Sequence, residues 1–114
     1  MTFEELQEYL KGKSLLIWLS FVNNIGDLIE QFQTYGIVSE LTNDGLIKIE
    51  RNDKSIFQMP YNKDTISKAD KGEYVLKTTK ERIIDPDFII LWTINPNGNE
   101  NLEKIKKYWY IPWQ

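Results

Sequence analysis

The side chains in this 114-residue chain that could do chemistry are carboxylates, lysines, hydroxyls and aromatic rings, because the chain has no cysteine and no histidine. That absence removes the commonest general base, the commonest metal ligand and the thiolate nucleophile. A Ser-His-Asp triad and an ordinary zinc site are excluded by composition, as is any disulfide. Asp85 and Asp87 bracket Pro86. A catalytic carboxylate pair needs two acids converging on one point with separated pKa values. Acids two residues apart in a loop more commonly cap the next strand or sit in solvent. Asp44, Asp53, Asp64 and Asp70 all fall in turns, but without the ordered ligand spacing of a calcium loop. The glycines form no phosphate-binding pattern.

Two further groups invite a binding role. Lys63, Lys68, Lys71, Lys77, Lys80 and Arg82 lie near Tyr61 and Tyr74, the ingredients of a single-strand nucleic-acid platform. Asp64, Asp70, Glu73 and Glu81 are interleaved with them, and a mixed-sign surface does not build the field such binding needs. At the other end of the chain, Tyr108, Trp109, Tyr110 and Trp113 crowd four large rings into six residues. They either plug the open end of a barrel or form a partner contact, since Trp and Tyr dominate interface hot spots.

The elements that must position these residues follow from patterning. Thr2 and Glu5 form a capping box, and Phe3, Leu6 and Leu10 then share one helical face, with Gly12 as the stop. Leu15 to Val22 is apolar on both faces. Its length and its Ile, Trp, Phe and Val content favour a strand over a buried helix. Asp27 to Phe32 reads as a helical turn or the start of a strand, and Gly36 suggests a bulge or sharp bend. Asn43-Asp44-Gly45 is a hairpin turn. Leu46 to Arg51 alternates, with Ile47 and Ile49 inward. Asn52 to Lys54 turns the chain again into a strand over Ser55–Met59, which completes a three-stranded meander. Asp64 to Asp70 reads as a loop or one helical turn, and Glu73 to Lys77 as a short strand. The polar stretch Thr78 to Asp87 precedes a last strand, Phe88 to Ile94, buried on both faces. A second helix starts near Asn99, with Leu102, Ile105 and Trp109 on one face and Pro112 at its end.

These elements fit one domain over residues 1–114. The fold expected is mainly β (α+β): a small, strongly bent antiparallel sheet or SH3-like barrel with an N-terminal and a C-terminal helix. The alternative is an α+β sheet with both helices on one face. Hydrophobic residues make up 41% and charged residues 27%, an ordinary globular balance. The acidic, amphipathic amino end lacks the pattern of a secretory signal, and the longest apolar run is too short to span a bilayer, so a cytoplasmic chain is expected. The net charge of −3 argues against nucleic acid as the partner and suits a basic protein.

The segments Gly45-Leu-Ile-Lys-Ile-Glu50, Glu73-Tyr-Val-Leu-Lys-Thr-Thr-Lys80 and Asp85-Pro-Asp-Phe-Ile-Ile-Leu-Trp-Thr-Ile94 resemble small bacterial immunity proteins of polymorphic toxin systems. The resemblance lies in strand patterns over about the central half of the chain. It implies a cytoplasmic antidote that binds a cognate toxin, with no catalytic residue, metal or cofactor of its own. On charge, Glu40, Asp44, Glu50 and Asp53 are the candidate contacts for a basic toxin domain. Tyr108 and Trp113 are added from the aromatic tail. An SH3-like or Sm-like nucleic-acid-associated module is the competing reading. The tail generates a test: if Trp109 and Trp113 plug the fold, deleting residues 108–114 lowers the melting temperature by several degrees. An unchanged melting temperature points to an interface instead.

Overall fold

A computed structural model of the chain describes residues 2–77 and 79–95. The first element, α1, spans Phe3–Leu10 and is capped as expected. The Thr2 hydroxyl accepts from the Glu5 amide, and the Glu5 carboxylate accepts from the Thr2 amide. Eight strands follow: β1 (Ser14–Val22), β2 (Leu28–Leu41), β3 (Leu46–Arg51), β4 (Ile56–Pro60), β5 (Ile66–Lys68), β6 (Glu73–Val75), β7 (Arg82–Ile84) and β8 (Phe88–Ile94). A single 3-10 turn at Lys63–Thr65 leads into β5.

Six strands form one sheet in the order β4-β3-β2-β1-β8-β5, and β6 pairs with β7 in a separate hairpin. The expected meander is present as β2, β3 and β4, joined by tight turns. In the first turn Gly45 takes φ +89°, and in the second Lys54 takes φ +71°. The expectation of a wholly antiparallel sheet is corrected, because β1 and β8 run parallel from Leu15↔Phe88 to Phe21↔Ile94. The SH3-like barrel is corrected as well, since β4 and β5 end the sheet unpaired with each other and it does not close. A parallel neighbour for β1 can come only from a distant segment, because a tight turn always makes an antiparallel pair. The helix expected from Asn99 lies outside the described residues, so the alternative with both helices on one face is not decided.

β1 is paired on both sides, buried along one face and partly covered on the other, which explains an apolar run interrupted only at Ser20. Leu15, Ile17, Leu19 and Phe21 face the main core with Val38, Leu41, Ile47, Ile49, Phe57, Met59, Phe88 and Ile90. The α1 residues Phe3, Leu6 and Leu10 pack on that core. From the opposite face Leu16 meets Leu76 and Ile83 of the β6–β7 hairpin, with Tyr35, Tyr74 and Ile89 around them. Each such fully buried side chain contributes roughly 1.5–3 kcal/mol through loss of water contact.

Two local expectations change, and one open alternative is decided. Residues 27–32 are not a helical turn; from Leu28 they belong to β2. The polar stretch 78–87 contains β7, which pairs with β6 through Tyr74↔Ile83. β8 is not covered on both faces along its length, for Leu91 is 63% exposed. Gly36 marks where β2 changes partners: residues up to Ile37 pair with β1, and residues from Gly36 onward pair with β3. The bulge itself falls two residues later, between Val38 and Glu40. A Cβ at Gly36 would lie 2.4 Å from the Glu50 carbonyl oxygen, so only glycine allows this approach. Gly36→Ala is therefore expected to cost about 1–3 kcal/mol through overpacking against backbone. Thermal unfolding of the variant should show a clearly lower melting temperature, and equality with the parent would contradict the crowding at this site.

Candidate functional site

The change of partner at Gly36 leaves part of β2 with one neighbour only. β3 ends at Arg51, opposite Gly36, so residues 28–35 have β1 on one side and no strand on the other among the described residues. Backbone direction on this segment follows from Val38, whose amide donates to the Lys13 carbonyl and whose carbonyl accepts from Gly12, both on the β1 side. Successive residues of a strand point their backbone groups to opposite sides. The β1–β2 register runs unshifted from Ile37 to Glu30. Gly36, Thr34, Phe32 and Glu30 thus face β1, and the backbones of Gln31, Gln33 and Tyr35 face away from it.

Beside this edge lies a cleft of about 360 Å³. It is lined by residues 32–35 of β2, by residues 51–53 at the end of β3, and by Leu76, Thr79 and Glu81 of the β6–β7 hairpin. Phe32 is held by a stacked contact with Phe57, ring centroids 5.3 Å apart. The two turns are built locally. Asp53 accepts from both the amide and the hydroxyl of Ser55, and the hydroxyl bond, then the amide bond, holds its carboxyl below the ordinary value. The Arg51 Nε donates to the same Ser55 hydroxyl. The β6–β7 connection is anchored on β2, where the Lys77 amide donates to Gln33 Oε1 at 2.7 Å and its Nζ to Gln31 Oε1 at 3.0 Å. The same ammonium sits 5.9 Å from the Trp18 ring centroid. Asn52 bonds Glu81 and so joins the two turns across the cleft.

The structure does not gather the acids chosen for partner contact. Glu40 lies 3.9 Å from Lys48, and Glu50 lies 3.6 Å from Lys54, which offsets much of their field. Asp44 accepts from Thr42 in the first hairpin turn. It is a whole strand away from Asp53, about 20 Å at the usual rise per residue. Of the four, only Asp53 lines the cleft. Tyr108 and Trp113 lie outside the described residues. The cleft itself was hidden from sequence reasoning, because its walls come from three separate segments. The only local signal was Gly36.

The remaining chemical candidates are fasteners. Asp85 accepts from the Gly72 amide at 2.7 Å, and its own amide donates to the Gly72 carbonyl, which ties off the β6–β7 hairpin. Asp87 accepts from the Ser14 amide at 2.9 Å and the Ser14 hydroxyl at 3.0 Å, which joins the starts of β8 and β1. Tyr74 donates to the Asp70 carbonyl, and Tyr61 packs on the main core, where burial pushes its hydroxyl above the ordinary value. Arg82 pairs with Glu73 at 2.6 Å. Among the described residues no three carboxylates converge as a metal site requires, and no helix is long and apolar enough to cross a membrane.

The two Ser14 bonds, the amide first, lower the Asp87 pKa below 3.8. A group whose folded pKa is depressed stabilises the fold above its unfolded pKa, and that contribution disappears as pH falls through the folded value. Asp87→Asn is accordingly expected to flatten the fall in melting temperature below about pH 4. A variant with the parent's acid limb would show that the Ser14 clamp carries no linkage. Comparison of the chain with protein-family models, with curated protein sequences and with solved structures returned no match, so the functional reading rests on this geometry.

Proposed function

We propose that this chain is a non-enzymatic protein-binding module, acting as a cytoplasmic immunity protein that binds and inhibits a cognate toxin. The observation that carries the reading is the cleft beside the single-sided stretch of β2. It joins a mainly apolar lining to backbone groups directed outward, and ionised Asp53 is part of that lining. Binding surfaces of this kind need no catalytic group. The overall charge of −3 suits a basic toxin domain, because complementary charge speeds association. Glu40, Asp44 and Glu50 remain candidates for that long-range attraction and not for close contact.

The competing reading, a nucleic-acid-associated SH3-like or Sm-like module, has less behind it. Such modules stack bases on exposed rings. Here Tyr61 and Tyr74 are packed against the protein, and Arg82 and Lys77 have partners within it. What remains for this reading is a shallow cleft with Lys13, Lys68 and Lys71 on its rim, shared with Asp85 and Asp87.

Growth rescue tests the proposal. Co-expression of the chain with the toxin domain encoded beside its gene should restore growth, and the two proteins should copurify as a stoichiometric complex. Failure to rescue, together with salt-sensitive RNA binding by the purified chain, would transfer support to the nucleic-acid reading.

A further inference from the structure

We infer that the partner is taken up as an extended strand: a peptide segment hydrogen-bonds to the edge of β2 at Gln31 and Gln33 and places one apolar side chain in the adjoining cleft. The inference rests on the protein-binding reading and names the form in which the partner arrives.

Hydrogen-bonding chemistry selects this occupant. Backbone N–H and C=O groups repeating along one side of a strand are matched by another strand, and peptide-recognition domains use that match. A helix satisfies its own backbone groups internally and has none to offer. Four stretches of the sheet have a strand on one side only among the described residues: β4, β5, residues 28–35 of β2 and residues 91–94 of β8, which run beyond β5. Of the two long strands, only the β2 stretch adjoins the cleft. The two edge strands are guarded. β4 has five residues and ends in Pro60, and β5 has three residues and ends in Lys68. Short length, proline and lysine are the usual guards against strand addition. Residues 28–35 of β2, Leu-Ile-Glu-Gln-Phe-Gln-Thr-Tyr, contain neither proline nor lysine.

The cleft refines the chemistry. A strand laid along Gln31 and Gln33 would direct alternate side chains to the Phe32 and Thr34 side, where an apolar group fits beside the Phe32–Phe57 stack. The rim carboxylates Asp53 and Glu81 favour lysine or arginine next to that group. The two positive charges beside this edge are already engaged, Arg51 with the Ser55 hydroxyl and Lys77 with Gln31 Oε1. The segment recognised is therefore extended, apolar at alternate positions and flanked by basic residues.

Amide hydrogen exchange on the full chain tests this directly. In the isolated protein the Gln31 and Gln33 amides should exchange about a hundredfold faster than those of Phe32 and Thr34, which face β1. A synthetic peptide of alternating valine and threonine with lysine at both ends should slow exchange at Gln31 and Gln33. The same peptide methylated on alternate amide nitrogens should not, and a glutamate-flanked version should bind more weakly. Gln31→Pro removes an edge amide without touching a β1 bond, and should abolish peptide binding. If that variant does not fold, the methylated peptide still decides. Protection already present in the isolated chain would mean that the edge is filled from within, or by a second copy if it depends on concentration. Either outcome overturns the inference, as does equal binding by the methylated peptide. If a folded Gln31→Pro chain still rescues growth against the toxin domain, strand addition is wrong while the antidote reading stands. If the parent chain does not rescue, the antidote reading itself fails.

Discussion

β1 has a strand hydrogen-bonded on each side and a layer of side chains against each face, and every other element takes its place from it. Its odd-numbered residues from Leu15 to Phe21 enter the main core, and Leu16 anchors the β6–β7 hairpin on the reverse face. A strand covered in this way must be apolar along both faces and must receive its second neighbour from elsewhere in the chain. That neighbour is β8, and the Ser14–Asp87 bonds hold the two strands in register where they start. A one-residue slip there would turn the β8 side chains to the wrong faces.

The second constraint is the division of β2 between two partners. One strand of fourteen residues pairs with β1 along its first part and with β3 along its last. The crossover occurs where the Glu50 carbonyl approaches Gly36 too closely for any side chain. β3 leaves at that point, and the sheet curls so far that Phe57 of β4 stacks on Phe32 at the start of β2. The cleft follows from this geometry, because the turn that ends β3 and the β6–β7 connection, anchored on Gln31 and Gln33, meet over the same stretch of β2.

Most polar groups that could be mistaken for a site do structural work. Asp85, Asp87, Gln33 and Asn52 each hold one segment against another. Lys48 and Lys54 lie against Glu40 and Glu50 as exposed pairs, which contribute little to stability. They do keep those charges from forming a single acidic patch. Asp53 differs in that its turn fixes an ionised carboxylate beside an apolar cleft.

Local chemistry was legible in the sequence wherever a few neighbouring residues decide the outcome. The Thr2–Glu5 cap, the Asn43-Asp44-Gly45 turn and the alternation of β3 depend on nothing outside their own segments. The strand at Leu15 to Val22 was legible too, because burial on one face and partial cover on the other leave a run that is apolar except at Ser20. β7 was missed because it has three residues and only Ile83 turned inward, too little to show a period. The parallel pairing of β8, the open sheet and the cleft were decided by tertiary structure alone. Each depends on which distant segments meet, and alternation within a strand records which face is buried but not which strand lies beside it. The sequence by itself therefore determined a mainly β chain without histidine or cysteine chemistry. Only the folded structure decided that residues 28–35 of β2 would have β1 as their single strand neighbour among the described residues.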